Sequence, residues 1–323
     1  MSDPNPLNLL AIVGTTRSNS TLLEILLADT PAVLSGSEPC TIWKGGYLRG
    51  QLCSCSEPIQ RCGFWSEGMT RAFDSAGQPD HAPHQVAEWQ HIALQQRHTC
   101  RIARSAATDP DLADDSRLRD YRQTLLQLYQ TIAAVGGRSW IGDSSKLGLH
   151  GVLVGPFLAL HTQVIQLTRD LRGVVYSWSR GRATPSSPWF VLLSRGLHQS
   201  MLDWLRLNAS AGIPLRSFDR GRVSRLRYKD SAADLFVELG RLSTELEVPV
   251  NKNQIADESV TLAPNHLASG SPVRFRPEVT TRPDDEWMSA MSHLINLLFG
   301  AATSTPLLKY GYCLSGPPSK ARR

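Results

Sequence analysis

A short apolar run at residues 9–13 ends in Gly14 and gives way to the polar stretch Thr15-Thr16-Arg17-Ser18-Asn19-Ser20-Thr21, after which residues 21–28 carry leucines at helical spacing. A continuous apolar run this short reads as a strand buried on both faces, so the segment predicts strand, loop, helix. Similar units recur. Residues 33–34, 140–141, 164–168 and 225–228 read as strands, and residues 147–160, 171–180 and 232–246 as helices. This alternation predicts an α/β chain with a central parallel sheet flanked by helices. In such a sheet the residues following each strand collect on one edge. Four polar clusters then meet there: residues 17–21, Ser37-Glu38, Asp143-Ser144-Ser145-Lys146 and Arg169-Asp170.

The rest of the chain frames this core. Residues 83–104 and 117–135 are polar with helical spacing and predict two long helices outside the sheet, an insertion spanning about 83–136. Residues 249–283 hold Pro249, Pro264, Pro272, Pro277 and Pro283 and read as a lid or clamp, followed by a helix near 287–299. A single domain over residues 1–314 is expected, with 315–323 a disordered basic tail. At 323 residues and 41% hydrophobic, the chain needs no covalent staples. Lys and Arg number 34 against 29 Asp and Glu, a net +5 that suits an anionic ligand and is too small to demand nucleic acid. The longest apolar stretch, 152–160, is broken by Gly155 and Pro156, so no membrane span is expected. The N-terminus lacks the basic region of a secretory signal, and six cysteines are too sparse for a disulfide scaffold. A cytoplasmic protein is the expectation.

The loop after the first strand has the length of a phosphate-binding loop, with Thr21 in the place of the terminal Ser or Thr of GxxxxGK[ST]. Asn19 replaces the glycine and Ser20 the lysine, while a cation stands earlier as Arg17. An anion site made of backbone amides and a helix N-terminus survives these changes; ATP chemistry loses its lysine. Asn tolerates left-handed backbone angles, so the loop can still close. A capped strand-to-helix turn with no ligand is the alternative.

The loop resembles the RSGST loop of sulfotransferases that use 3′-phosphoadenosine 5′-phosphosulfate (PAPS), in which it binds the 5′-phosphosulfate. The stretch Thr168-Arg169-Asp170-Leu171-Arg172-Gly173-Val174-Val175-Tyr176-Ser177 resembles the RDPRxxxxS segment of the same family. Further resemblance, to a bacterial-type branch that includes carbohydrate and tyrosyl-protein sulfotransferases, is carried by Asp143-Ser144-Ser145-Lys146, by Cys53-Ser54-Cys55 through Cys62-Gly63-Phe64-Trp65, by Arg227-Tyr228-Lys229-Asp230, by residues 266–275 and by Lys309-Tyr310-Gly311-Tyr312. The resemblance implies a P-loop-like sulfotransferase fold. It places Arg17, Ser18, Asn19, Ser20, Thr21 and Leu22 on the 5′ end of PAPS, Arg169 and Ser177 on the 3′-phosphate, and Tyr228 at the cofactor. Arg274 or Arg276, in the proline-rich stretch, closes over the cofactor or belongs to a basic surface loop.

By the same resemblance Glu38 is the catalytic base. It can take the proton of the acceptor as sulfur is attacked, given burial or a neighbour that raises its pKa. Asp143 is the rival base, with orienting Lys146 or capping the next helix as its structural alternatives. Arg17 and the loop amides offset charge on the departing phosphate oxygen. PAPS is the co-substrate, no metal is implied, and the acceptor is a small molecule, carbohydrate or lipid. A degenerate P-loop kinase or hydrolase and a non-catalytic nucleotide-binding module are the competing readings. Cys53, Cys55 and Cys62, with Cys40 or a His nearby, suggest zinc, but C-x-C-x6-C lacks the paired C-x2-C spacing, and a buried or redox-active thiol cluster is preferred.

Overall fold

The computed structural model describes residues 7–75, 83–94, 116–147, 150, 160–180, 182–183, 191–192, 196–212, 214–251, 255–256 and 259–314. Its main sheet has five parallel strands: β1 Asn8–Gly14, β2 Val33–Ser35, β3 Trp140–Lys146, β4 His161–Thr168 and β5 Val223–Arg227. Their order across the sheet is β2, β3, β1, β4, β5. The apolar run of β1 is central and buried on both faces, as its lack of alternation requires. The chain leaves β1 toward β2 on one side and later fills β4 and β5 on the other. That reversal opens a crevice at the carboxyl ends of the strands.

One face of the sheet is covered by α1 Ser20–Ala28 and α7 Leu235–Leu246, whose leucines pack with Leu10, Ile12, Ile165 and Leu226. The other carries Leu9 and Ile141, which pack against Trp65, Leu125, Leu128, Tyr129 and Ile132 from α2 Gly63–Ser75 and α4 Ser116–Gly136. The other helix of the 83–136 insertion, α3 Pro83–Ala93, joins the same cluster through Val86 and Trp89. The inserted helices lie outside the sheet, as expected, and also build the core on that face. Each fully buried leucine among them is worth about 1.5–3 kcal/mol. Two further helices, α5 Leu171–Ser179 and α6 Leu197–Gly212, pack together beyond β4, with Trp204 buried between them.

Several elements differ from their sequence expectation for identifiable reasons. The strand expected at 140–141 continues to Lys146, because Asp143, Ser144 and Ser145 find buried hydrogen-bond partners in place of water. The helix expected over 232–246 is broken at Asp234: a short helix Tyr228–Ala233 precedes Leu235–Leu246, which the Asp234 side chain caps by accepting from Val237 N at 2.9 Å. The helix near 287–299 is two pieces, Trp287–Ala290 and His293–Ala302, with Ser292 capping the second. The proline-rich stretch is not an irregular lid. It forms a small antiparallel sheet of Ile255–Ala256, Ser259–Thr261 and Glu278–Thr280, plus a 3-10 turn at Pro272–Phe275. This strap docks on α1 through Ser271 N, which donates to Thr21 Oγ1 at 3.0 Å. The helix expected at 147–160 falls mostly, and the tail at 315–323 wholly, outside the described residues. Among the described residues no helix is long and apolar enough to cross a membrane.

Candidate active site

The turn between β1 and α1 is held in an unusual backbone shape. Gly14 has φ 120°, and a Cβ there would lie 2.2 Å from the Leu167 carbonyl oxygen, so only glycine lets β1 and β4 run this close at the loop. Arg17 and Asn19 both adopt left-handed angles, φ 61° and 64°. Asn19 is the residue type that bears this best; Arg17 bears it at a cost. The Ser18 hydroxyl bonds the Thr15 carbonyl, and Thr15 N donates to Leu167 O at 2.9 Å. Ser20 and Thr21 are buried in the first turn of α1. Beside the loop is a cleft lined by Ser18, Asn19, Leu22, Leu226, Leu235 and Arg282.

The start of α5 brings the second arginine-bearing turn onto this loop. Asp170 caps α5, accepting from Arg172 N at 2.9 Å, and takes a two-pronged ion pair from the fully buried Arg172 guanidinium. Arg172 also donates to the carbonyls of Cys313 and Leu314, which makes it a structural clamp. That clamp aims Arg169 the other way. Its Nη1 donates to the Arg17 carbonyl at 2.6 Å, its Nη2 reaches the Asp284 carboxylate at 3.1 Å, and its guanidinium lies 4.1 Å over the Tyr228 ring. Arg17 Nε in turn donates to Ser177 Oγ at 2.9 Å. Arg17, Arg169 and Ser177 thus form one cradle. Tyr228 supports it from beneath, its hydroxyl accepting from Asp284 N at 3.0 Å. Arg180 shares the same Asp284 carboxylate at 3.1 Å and pairs with Glu286.

On the β2 and β3 side, Ser37 has φ 67° and Glu38 follows it out of the sheet. Glu38 is ion-paired with Lys146, the last residue of β3, and both side chains remain slightly accessible at 13% and 11%. Arg274 lies near enough for its charge to feel Glu38. Burial pulls the Arg274 pKa down to about 10 while Glu38 works against that shift. Its Nη1 and Nη2 donate to the Gly270 and Leu52 carbonyls, and Arg276 is exposed. Arg274 therefore sits on the Glu38 side, adding its charge to that of Lys146, which pairs with Glu38 directly.

Beneath these groups are two buried carboxylates. Asp143 accepts from His150 Nε2 and Ser145 N, both at 2.8 Å, and from the Tyr129 hydroxyl. Burial acts to raise its pKa, but the His150 charge and these hydrogen bonds outweigh it and hold the carboxyl below the ordinary aspartate value. At 2% exposure, Asp143 is bonded to Tyr129, Ser145 and His150, whereas Lys146 pairs with Glu38. Glu24, on α1, accepts from Ser35 Oγ at 2.5 Å, Ser37 N at 2.7 Å and Ser144 Oγ at 2.5 Å. It fastens the turn that presents Glu38.

Burial pushes Glu24 up to about 7, opposed by the donors on Ser144, Ser35 and Ser37 and assisted by the Asp143 charge. Its native value lies above the ordinary 4.5, so the folded state holds this proton more tightly than the unfolded chain. Stability contributed by the group is then present below about pH 4.5 and is lost as pH rises to about 7, by about 3 kcal/mol. Melting temperatures between pH 5 and 8 are expected to fall in the native protein and to stay flatter in Glu24→Gln. Parallel curves for the two proteins would assign the pH dependence to other groups.

No protein-family model matches the sequence, and no curated protein matches it significantly. Solved structures do match. The sulfotransferase domain from the curacin biosynthetic pathway superposes with a TM-score of 0.51 at 16% identity, over 96% of this chain and 100% of that one. The chain has the sulfotransferase fold. The sulfotransferase domain from the Synechococcus PCC 7002 olefin synthase matches with a TM-score of 0.48 and 16% identity, over 94% and 97% of the two chains.

Within the sulfotransferase fold, the site residues expected from sequence fall into two groups. Residues 17–22, Arg169, Ser177 and Tyr228 lie around the β1 loop, and Glu38 and Arg274 lie across from them with Lys146. Sequence reasoning missed Glu24, Arg180, His150 and Asp284. Glu24 did leave a signal: a lone carboxylate inside a helix with leucines on all sides needs buried partners.

Proposed function

We propose that the protein transfers the sulfonate of PAPS to a hydroxyl, or an amine, of a small-molecule, carbohydrate or lipid acceptor, releasing 3′,5′-ADP. The observation that carries this reading is the cradle of Arg17, Arg169 and Ser177 beside a strand-to-helix anion loop. Two arginines and a hydroxyl suit a dianionic phosphate, and the loop amides with the α1 N-terminus suit a second anion one nucleoside away. The 3′-phosphate takes over the role of the Asp284 carboxylate on Arg169. Leu22, Leu226 and Leu235 give the small cleft beside the loop an apolar wall against which the adenine ring would rest.

In the transfer step the acceptor oxygen attacks sulfur in line with the phosphate oxygen that leaves. As the new S–O bond forms and the old one breaks, the acceptor proton passes to Glu38. Lys146 holds that carboxylate in place, Arg274 adds positive charge nearby, and Glu24 fixes the turn that carries it. The Arg17 contact with Ser177 supports a place for Arg17 on the 3′-phosphate, so charge growing on the departing oxygen is assigned to the loop amides and the helix dipole.

Incubating the purified protein with PAPS and a panel of phenols, sugars and hydroxylated lipids in Mg²⁺-free buffer is expected to yield 3′,5′-ADP in step with a sulfated product. Mg²⁺-dependent consumption of ATP would establish the kinase reading instead. Tight binding of PAPS with no turnover across the panel would favour the non-catalytic nucleotide-binding module.

A further inference from the structure

Away from the cradle, a cluster of side chains has no part in the proposed transfer. Cys53, Cys55, Cys62 and His266 bring three sulfurs and one imidazole nitrogen within 4.8 Å of one another. The fourth member was invisible in the local spacing, because His266 comes from the strap, 204 positions after Cys62. Cys40, a candidate partner by sequence, is drawn away to Ser145. We propose that Cys53, Cys55, Cys62 and His266 bind one zinc-class divalent ion in a closed, four-coordinate structural site. The proposal stands independently of the transfer reaction.

The distances fit a metal centre. A tetrahedral zinc centre with Zn–S near 2.3 Å and Zn–N near 2.0–2.1 Å has ligand-to-ligand edges of about 3.8 Å between sulfurs and about 3.6 Å between sulfur and nitrogen. The observed edges are 3.6 Å for Cys62 to Cys53, 3.4 Å for Cys62 to His266 Nδ1 and 3.8 Å for Cys53 to the same nitrogen. Cys55, the exposed member, completes the set with a small side-chain adjustment. A Cys53–Cys62 disulfide needs sulfurs about 2.0 Å apart and would leave Cys55 and His266 without a reason to be there. Three thiolates and an imidazole are soft donors, the set that selects zinc over magnesium or calcium.

The surroundings hold the ligands as a metal site requires. His266 is stacked on Phe64 at 5.2 Å and 14°, and its carbonyl accepts from Trp65 Nε1 at 2.6 Å, which fixes the imidazole toward the sulfurs. Between Cys53 and Cys62 the chain turns tightly: Ser56 has φ 71°, and its N donates to Cys53 O at 2.9 Å. Ser54 is stitched to the strap, its N donating to Leu267 O at 3.0 Å and its hydroxyl accepting from Leu267 N at 2.9 Å. The ion would close this junction. Both of its halves lead to the Glu38 side of the site: Leu52 O accepts from Arg274, and Ser269 N donates to Ser37 Oγ at 2.9 Å. With all four positions filled by protein, the ion's part is to tie the strap to the core and not to bind substrate.

The test is elemental analysis of the intact chain, expressed in zinc-supplemented medium and purified without chelator, together with Co²⁺ titration of the metal-stripped chain. About one zinc per chain is expected, with cobalt giving thiolate charge-transfer bands and the strong visible bands of a tetrahedral centre. Cys62→Ser and His266→Ala should lower metal content to a small fraction, and stripping should lower the melting temperature of the native protein. If the variants do not fold, the native chain's cobalt spectrum decides alone. A metal-free chain that gives no such spectrum would overturn the proposal, as would a Cys53–Cys62 disulfide found by mass spectrometry in protein prepared under reducing conditions.

Discussion

Arg169→Ala is expected to weaken 3′,5′-ADP binding by roughly 10²-fold, while AMP binding changes by no more than about threefold, as read by calorimetry. The difference arises because Arg169 is buried, clamped from behind by the Tyr228 ring and aimed beside Ser177 by the capped start of α5. On the proposed reading, a group so placed is expected to meet the 3′-phosphate and not the rest of the nucleotide. Arg169 also donates to the Arg17 carbonyl, so its loss disturbs the loop and the modest AMP effect measures that part. Ser177→Ala, which removes one hydroxyl, should show the same selectivity at a smaller scale. Equal losses for both nucleotides would mean that Arg169 shapes the loop and does not read the phosphate.

Glu38→Gln is expected to cut turnover by roughly 10²-fold or more, with 3′,5′-ADP affinity nearly unchanged. The amide keeps the size of the carboxyl but takes up no proton. Glu38 remains slightly accessible beyond β2, whereas Asp143 is buried under Tyr129 and His150, which favours Glu38 as the proposed base. Because the change also releases Lys146, Lys146→Met is the companion variant. A fall in both variants of equal size would indicate that the ion pair matters as a unit, and unchanged turnover in Glu38→Gln would remove Glu38 from the mechanism.

What the sequence disclosed follows from how local each signal is. The run before Gly14 announced a buried central strand because burial on both faces leaves no alternation, and the spacing from Arg169 to Ser177 is set within one turn and one helix. Asp143-Ser144-Ser145 read as a loop because polar, turn-forming residues rarely continue a buried strand; they do so here because Glu24, Ser37, Tyr129 and His150 satisfy them. The C-x-C-x6-C spacing argued against a metal, and only the folded strap brings His266 to it. The prolines of the same strap suggest a lid or clamp but do not disclose the small sheet they frame or its docking on α1. The place of Arg17 in the loop suggests the departing oxygen, and its contact with Ser177 Oγ, which depends on a helix 160 residues away, is not legible in the loop itself.

The most direct measurement is a crystal structure of the protein with 3′,5′-ADP. The 3′-phosphate should replace the Asp284 carboxylate on Arg169 and bond Ser177 and Arg17, with the 5′-phosphate on the amides of residues 17–21 and the adenine against Leu22. A nucleotide bound the other way round, or one that leaves the Arg169–Asp284 pair intact, would contradict the assignment of this cradle to the 3′-phosphate.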